Sequence, residues 1–105
     1  MLDIFMERKM VRLTEIVENG MGANTYTVRS VYINPSQIVM IREDSRFNTL
    51  MSEGKLNALG FDQTLKFTKV SVRGGGSGNY DITVAGDSIS IYEKVNASSK
   101  SLLKG

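Results

Sequence analysis

The 105 residues contain no cysteine and no histidine. Disulfides, thiolate nucleophiles, imidazole bases and the usual zinc sites are excluded together. Tryptophan is also missing, and Pro35 is the single proline. No apolar run approaches the roughly eighteen residues that span a bilayer, because charge breaks the longest stretches every two or three positions. Neither sign of charge dominates: 13 Lys and Arg against 11 Asp and Glu leave +2. That excess permits a nucleic-acid partner without demanding one. The expectation is a cytoplasmic protein with no membrane partner, no cofactor and no metal.

What is present is ordinary globular usage, 41% hydrophobic and 23% charged, in a chain long enough for one core. A single domain is expected over residues 9–95. Residues 1–8 mix acids and bases into an apolar stretch, unlike a signal peptide, and read as an arm or a short helix. From Lys9 to Glu18, Val11, Leu13 and Val17 alternate with Arg12, Thr14 and Ile16, the period of a half-buried strand. Asn19 to Asn24 then concentrates residues suited to a tight reversal. Thr25 to Ile33, rich in Tyr, Val, Thr and Ile, is the second strand of a hairpin. Pro35 closes it in a short turn, and a third strand runs from Gln37 to Glu43.

Between Asp44 and Gln63 the apolar residues fall at irregular or helix-like intervals, so residues 44–63 form a long excursion that is partly helical or a mobile flap. Alternation resumes from Leu65 to Arg73, with Thr68, Val70 and Val72 inward and Lys69, Ser71 and Arg73 outward. The run Gly74 to Asn79 interrupts it, and Tyr80 to Ala85 is a fifth strand. Asp87 to Val95 reads as a helix capped at Asp87 or Ser88, with Ile89, Tyr92 and Val95 at threefold spacing; a strand pairing Ile89 with Ile91 is the alternative. Residues 96–105, rich in Ser and Lys, are expected to form a flexible tail.

The glycine cluster lacks the Gly-Lys-Ser/Thr of a P-loop and the spacing of a dinucleotide loop, and reads as a hairpin connection. Glu43 and Asp44 read as a solvated strand end, since neighbouring strand residues point to opposite faces. Among the tyrosines, Tyr32 and Tyr80 flank loops and are the candidates for stacking on a base. Arg42, Lys69 and Arg73 lie at or near strand ends, where they are placed to meet phosphates.

Five short antiparallel strands are too few for two sheets, so the fold class expected is mainly β, a small, strongly bent, five-stranded antiparallel barrel of Sm-like or SH3 type with short terminal helices. Within that class Thr68-Lys69-Val70-Ser71-Val72-Arg73-Gly74 resembles the second Sm motif, in which apolar alternation runs into Arg-Gly before the last strand. The family resembled is the Sm-like group that includes the bacterial Hfq proteins, nearest to the small Sm-like proteins of cyanophage and marine phage sequence. The resemblance implies a non-catalytic homo-oligomeric ring of five to seven subunits, paired through free fourth and fifth strands. It also implies single-stranded RNA as ligand, held by Asn34, Arg73 and Gly74 with Tyr32 and Lys69 beside them. The alternative is a protein-interaction or structural module with an SH3-type barrel, as part of a phage particle or a host-takeover complex. A hydrolytic enzyme rests only on carboxylates such as Asp81 and Asp87 and is the weakest reading.

Overall fold

The computed structural model describes residues 10–20, 25–76 and 78–104. The arm or helix expected at residues 1–8 lies outside the described residues. Five strands, β1 (Val11–Glu18), β2 (Tyr26–Ile33), β3 (Ile38–Glu43), β4 (Phe67–Gly74) and β5 (Gly78–Ala85), form one antiparallel sheet in the order β2-β1-β5-β4-β3. The β1–β2 and β4–β5 hairpins keep unbroken register, from Val11↔Ile33 to Glu18↔Tyr26 and from Phe67↔Ala85 to Gly74↔Gly78. The join between them is narrow, two residue pairs, Glu15↔Val84 and Ile16↔Thr83.

β2 and β3 are the two edges, yet only Asn34 and the 3-10 turn Pro35–Gln37 separate them in sequence. Across a flat sheet those edges stand about 19 Å apart, more than five residue steps span at full extension, about 17 Å. The sheet therefore curls so that the end of β2 approaches the start of β3. The barrel does not close: β2 and β3 share no ladder, and the fourth and fifth strands, expected as free edges, are interior.

A helix fills the concave side where closure would have buried side chains. This helix, α2 (Ser88–Lys104), continues through the segment expected to be a flexible tail. Its N-terminus is capped by Asp87, whose carboxylate accepts from the Ser90 N–H at 3.2 Å and the Ser90 hydroxyl at 2.6 Å. The two hydrogen bonds hold the Asp87 carboxyl below its ordinary value of 3.8. From α2, Ile91 and Val95 join Val11, Leu13, Ile33, Val70, Val72 and Val84 in the inner core.

A second core lies on the opposite face. Ile16, Phe67 and Ala85 differ in parity from Leu13, Val70 and Val84, so in uninterrupted strands they point the other way. The excursion covers them. It contains α1 (Ser45–Ser52) and a 3-10 turn at Asn57–Leu59, and brings Phe47, Met51 and Leu56 onto Ile16 and Phe67. The Phe67 ring meets Phe47 at 5.8 Å and Phe61 at 5.7 Å between centroids. Ile16 is thus buried, where simple alternation along β1 had placed it outward and Val17 inward.

Asp44, expected at a solvated strand end, is only 3% exposed. One carboxylate oxygen accepts from the Phe47 N–H at 3.0 Å as the cap of α1, and the other from the Thr83 hydroxyl at 2.7 Å. Capping requires a short acceptor one residue before a helix, and that role takes Asp44 out of solvent. Glu43 remains exposed. The far side of α1 is tied down by an Arg46–Glu18 ion pair at 2.7 Å.

Candidate nucleic-acid interface

The outer face of the sheet, away from α2, is organised by one register row that crosses all five strands: Val28, Ile16, Thr83, Lys69 and Arg42. The excursion covers the row at Ile16, and Asp44 meets it at Thr83. Beyond that cover, at the β3 side, two cations face each other. Lys69 and Arg42 are direct cross-strand partners on one face, a pairing that is destabilising unless something negative lies between or above it. Four residues along β4, Arg73 has the same parity and is exposed, opposite Asn79 of β5. Among the described residues none of these three cations has an ion-pair partner.

One carboxylate belongs to this patch. Asp81 stands opposite Ser71, between Lys69 and Arg73, and accepts the Ser71 hydroxyl. Ser71 is buried and Met40, its partner on β3, is exposed. The patch thus carries three cations, one carboxylate, hydroxyls and an apolar contact. It offers chemistry for an anion.

The five residues expected at an RNA site do not converge. Lys69 and Arg73 share the outer face, as their alternation with Val70 and Val72 requires. Gly74 ends β4 beside them for a structural reason: a Cβ there would collide with the Gly78 carbonyl oxygen and come within 3.2 Å of the Tyr80 ring. Tyr32 is on the outer face and 62% exposed, opposite Arg12 on β1. However, β2 and β4 run in opposite directions, and each of Tyr32 and Arg73 lies four residues beyond the common row. They are separated by about 26 Å along the strand axis alone. Arg12 is turned aside, donating to the Ser30 hydroxyl at 3.1 Å.

Asn34 goes elsewhere. Its side-chain oxygen accepts from the Ser36 N–H at 3.0 Å and the Ser36 hydroxyl at 2.9 Å, capping the 3-10 turn. That turn packs on α2 as well as on β4, placing it on the concave side, opposite Arg73. Arg42, noted from sequence as one basic residue among several, is the neighbour that Lys69 actually has. The register that joins them pairs strands on either side of the excursion and leaves no local signal in the sequence, whereas the outward parity of Lys69 and Arg73 follows from period two alone.

Next to the Asn34 turn lies an apolar groove of 320 Å³ lined by Pro35, Ile38, Val39, Ile41, Tyr92 and Val95. A notch of 210 Å³ separates β1 from the start of β5, with Glu15, Glu18 and Asp81 on its walls. Glu15 is engaged by Arg29 at 2.9 Å and Glu18 by Arg46. Among the described residues no cluster of three or more potential ligands is placed to hold a metal, and no helix is long and apolar enough to cross a membrane.

The described residues form a mainly β fold, an open curled antiparallel sheet with two helices, three cations on its outer face and an apolar groove at one edge. Comparison with family models, with curated proteins and with solved structures finds no match to this chain.

Proposed function

We propose that the protein is a non-catalytic RNA-binding domain of Sm-like class that holds the phosphate backbone of single-stranded RNA on its outer face through Lys69, Arg73 and Arg42. The observation that carries this reading is the apposition of Lys69 and Arg42 without a partner carboxylate among the described residues. A phosphate offsets that repulsion and accepts from both side chains in charge-assisted hydrogen bonds. Arg73 extends the track along β4, opposite the exposed Asn79 of β5. The five-strand count, the curl and the short 3-10 link between edge strands support the Sm-like or SH3-type class. One chain carries the whole patch. The test is a gel shift with U-rich and A-rich oligonucleotides at two salt concentrations. Salt-sensitive binding that is weakened by Arg73→Ala is the expected result, and no binding at low salt refutes the reading.

The runner-up, a protein-interaction or structural module, is favoured by the groove beside Pro35. An apolar surface adjoins the Asn34 turn where an RNA pore would present polar and basic groups. In that reading an extended peptide segment adds to the edge of β3, and a pull-down abolished by Ile38→Asp but untouched by Arg73→Ala is its signature.

A further inference from the structure

The carboxylate inside the cationic patch makes no ion pair. Asp81 is exposed and lies diagonal to both Lys69 and Arg73 on one face, within reach of long side chains. Among the described residues neither cation pairs with it, and nor does Arg42. Its Oδ1 accepts the Ser71 hydroxyl instead. That bond holds the carboxylate over the middle of the patch. Among the described residues Oδ2 has no further partner, so both oxygens retain lone pairs for a ligand.

Ser71 forms the floor of this part of the patch, 4% exposed beneath longer neighbours. Lys69 and Arg73 stand on either side of it along β4, and Met40 and Asp81 across from it on β3 and β5. The two cations are four residues apart, about 13 Å, and Met40 and Asp81 are two strand spacings apart, about 10 Å. The frame suits one planar base with a phosphate at each cationic end. The thioether of Met40, 43% exposed, offers a soft contact to an aromatic ring.

A carboxylate in the middle of an anion-binding track repels the strand unless a base donates to it, which makes it a device for choosing among bases. Guanine alone sets two donors side by side on its Watson–Crick edge, the N1–H and the 2-amino group, matched to the two carboxylate oxygens. Cytosine and adenine present one amino group beside a bare ring nitrogen, and uracil one N–H between two carbonyl oxygens. Those acceptors face the carboxylate with like sign.

We infer that Asp81 is the base-reading residue of the outer face and selects a guanine in single-stranded RNA. Its carboxylate accepts from the N1–H and the 2-amino group while Lys69 and Arg73 hold the flanking phosphates. Ser71 acts through Asp81 as a positioning residue. The inference rests on the RNA reading above and adds to it the identity of the preferred base.

Fluorescence anisotropy at low salt tests it, with short labelled uridine strands that differ only at one central nucleotide. A central guanosine should bind at least about fivefold more tightly than uridine, the lower end of what a bidentate base contact contributes. Adenosine and cytidine should gain less. Inosine keeps the N1–H and lacks the 2-amino group, so it should lose most of the gain, a comparison made on the native protein. Asp81→Asn, whose amide oxygen still accepts from Ser71, should lose the guanosine preference and bind the all-uridine strand more tightly, because a negative charge leaves the track. A purely structural role would weaken every strand alike. Equal, salt-sensitive binding of all the strands overturns the inference and leaves the RNA reading standing, as does a guanosine preference that survives Asp81→Asn. Inosine binding as tightly as guanosine overturns it too, and decides alone if the variant does not fold. No binding of any strand overturns both readings.

Discussion

Replacing Lys69 by Gln should move stability and RNA affinity in opposite directions. Lys69 is half-buried on the outer face, directly across from Arg42 and beside Thr83. Like charges at a directly opposed position destabilise a sheet by a few tenths of a kcal/mol, with about 1 kcal/mol as the upper end. Gln keeps the stem and removes the repulsion, so Lys69→Gln should gain about 0.5 kcal/mol. For a domain of this size that raises Tm by about 2–4 °C. Affinity should fall at the same time. Three cations on one face correspond to three phosphate contacts, each contributing about 0.7 to the slope of log affinity against log salt for a single strand. Between 50 and 200 mM salt the native protein should then lose about 18-fold in affinity and the variant about 7-fold. Fluorescence anisotropy with a labelled U-rich oligonucleotide measures the slopes, and thermal melting followed by circular dichroism measures Tm. A variant that melts lower and keeps the native salt slope would refute the reasoning, since Lys69 would then serve the fold and not a ligand.

Four further outcomes follow from the packing. Gly74→Ala should break the tip of the β4–β5 hairpin, because the added Cβ overlaps the Gly78 carbonyl oxygen; overpacking of this kind costs about 1–3 kcal/mol, read as a lower midpoint in urea. Asp44→Ala removes the cap of α1 and leaves the Thr83 hydroxyl without its acceptor; about 2 kcal/mol should be lost, against a smaller loss for Asp44→Asn. Phe67→Ala, at the centre of the outer core, should cost about 3–5 kcal/mol and release α1 from the sheet, seen as faster exchange of the Ser45–Ser52 amides. Hydrogen bonds from Ser90 depress the Asp87 carboxyl in the folded state. Its contribution to stability is therefore present above the unfolded pKa, about 3.9, and is lost as pH falls through the lower folded value. Asp87→Asn should make acid unfolding below that pH shallower, as followed by circular dichroism at 222 nm.

Much of the sheet was legible in the sequence. Alternation at Val11 and Leu13 and at Val70 and Val72 marks the inner face, and glycines mark both hairpin tips. Asp87 with Ser90 marks the start of α2, which was read as a helix of about nine residues. The second core was not legible as such, because it rests on apolar residues of the wrong parity. Ile16 against Leu13, and Phe67 against Val70, is the trace it leaves, a switch of face within one strand that a single alternation template averages away. Asp44 likewise carries two readings until the helix after it is known, since one carboxylate either ends a strand in solvent or caps α1. Closure of the sheet also lay beyond local pattern. It depends on whether β2 and β3 meet, and the curl stops short because α2 occupies the concavity with Ile91 and Val95. Of the expected site, the pairing of Lys69 with Arg73 on one face followed from period two alone. Asn34 and Tyr32 were grouped with them through resemblance, and the register places them on the concave side and at the far end of the sheet.

A titration of the isotope-labelled protein with single-stranded RNA, followed by amide chemical shifts, tests the central claim most directly. The account predicts saturable, salt-sensitive shifts at Arg42, Lys69, Ser71, Arg73 and Asn79, with Asn34 and the α2 residues that line the groove left in place. Shifts confined to Ile38, Ile41 and Tyr92, or none at low salt, would contradict it.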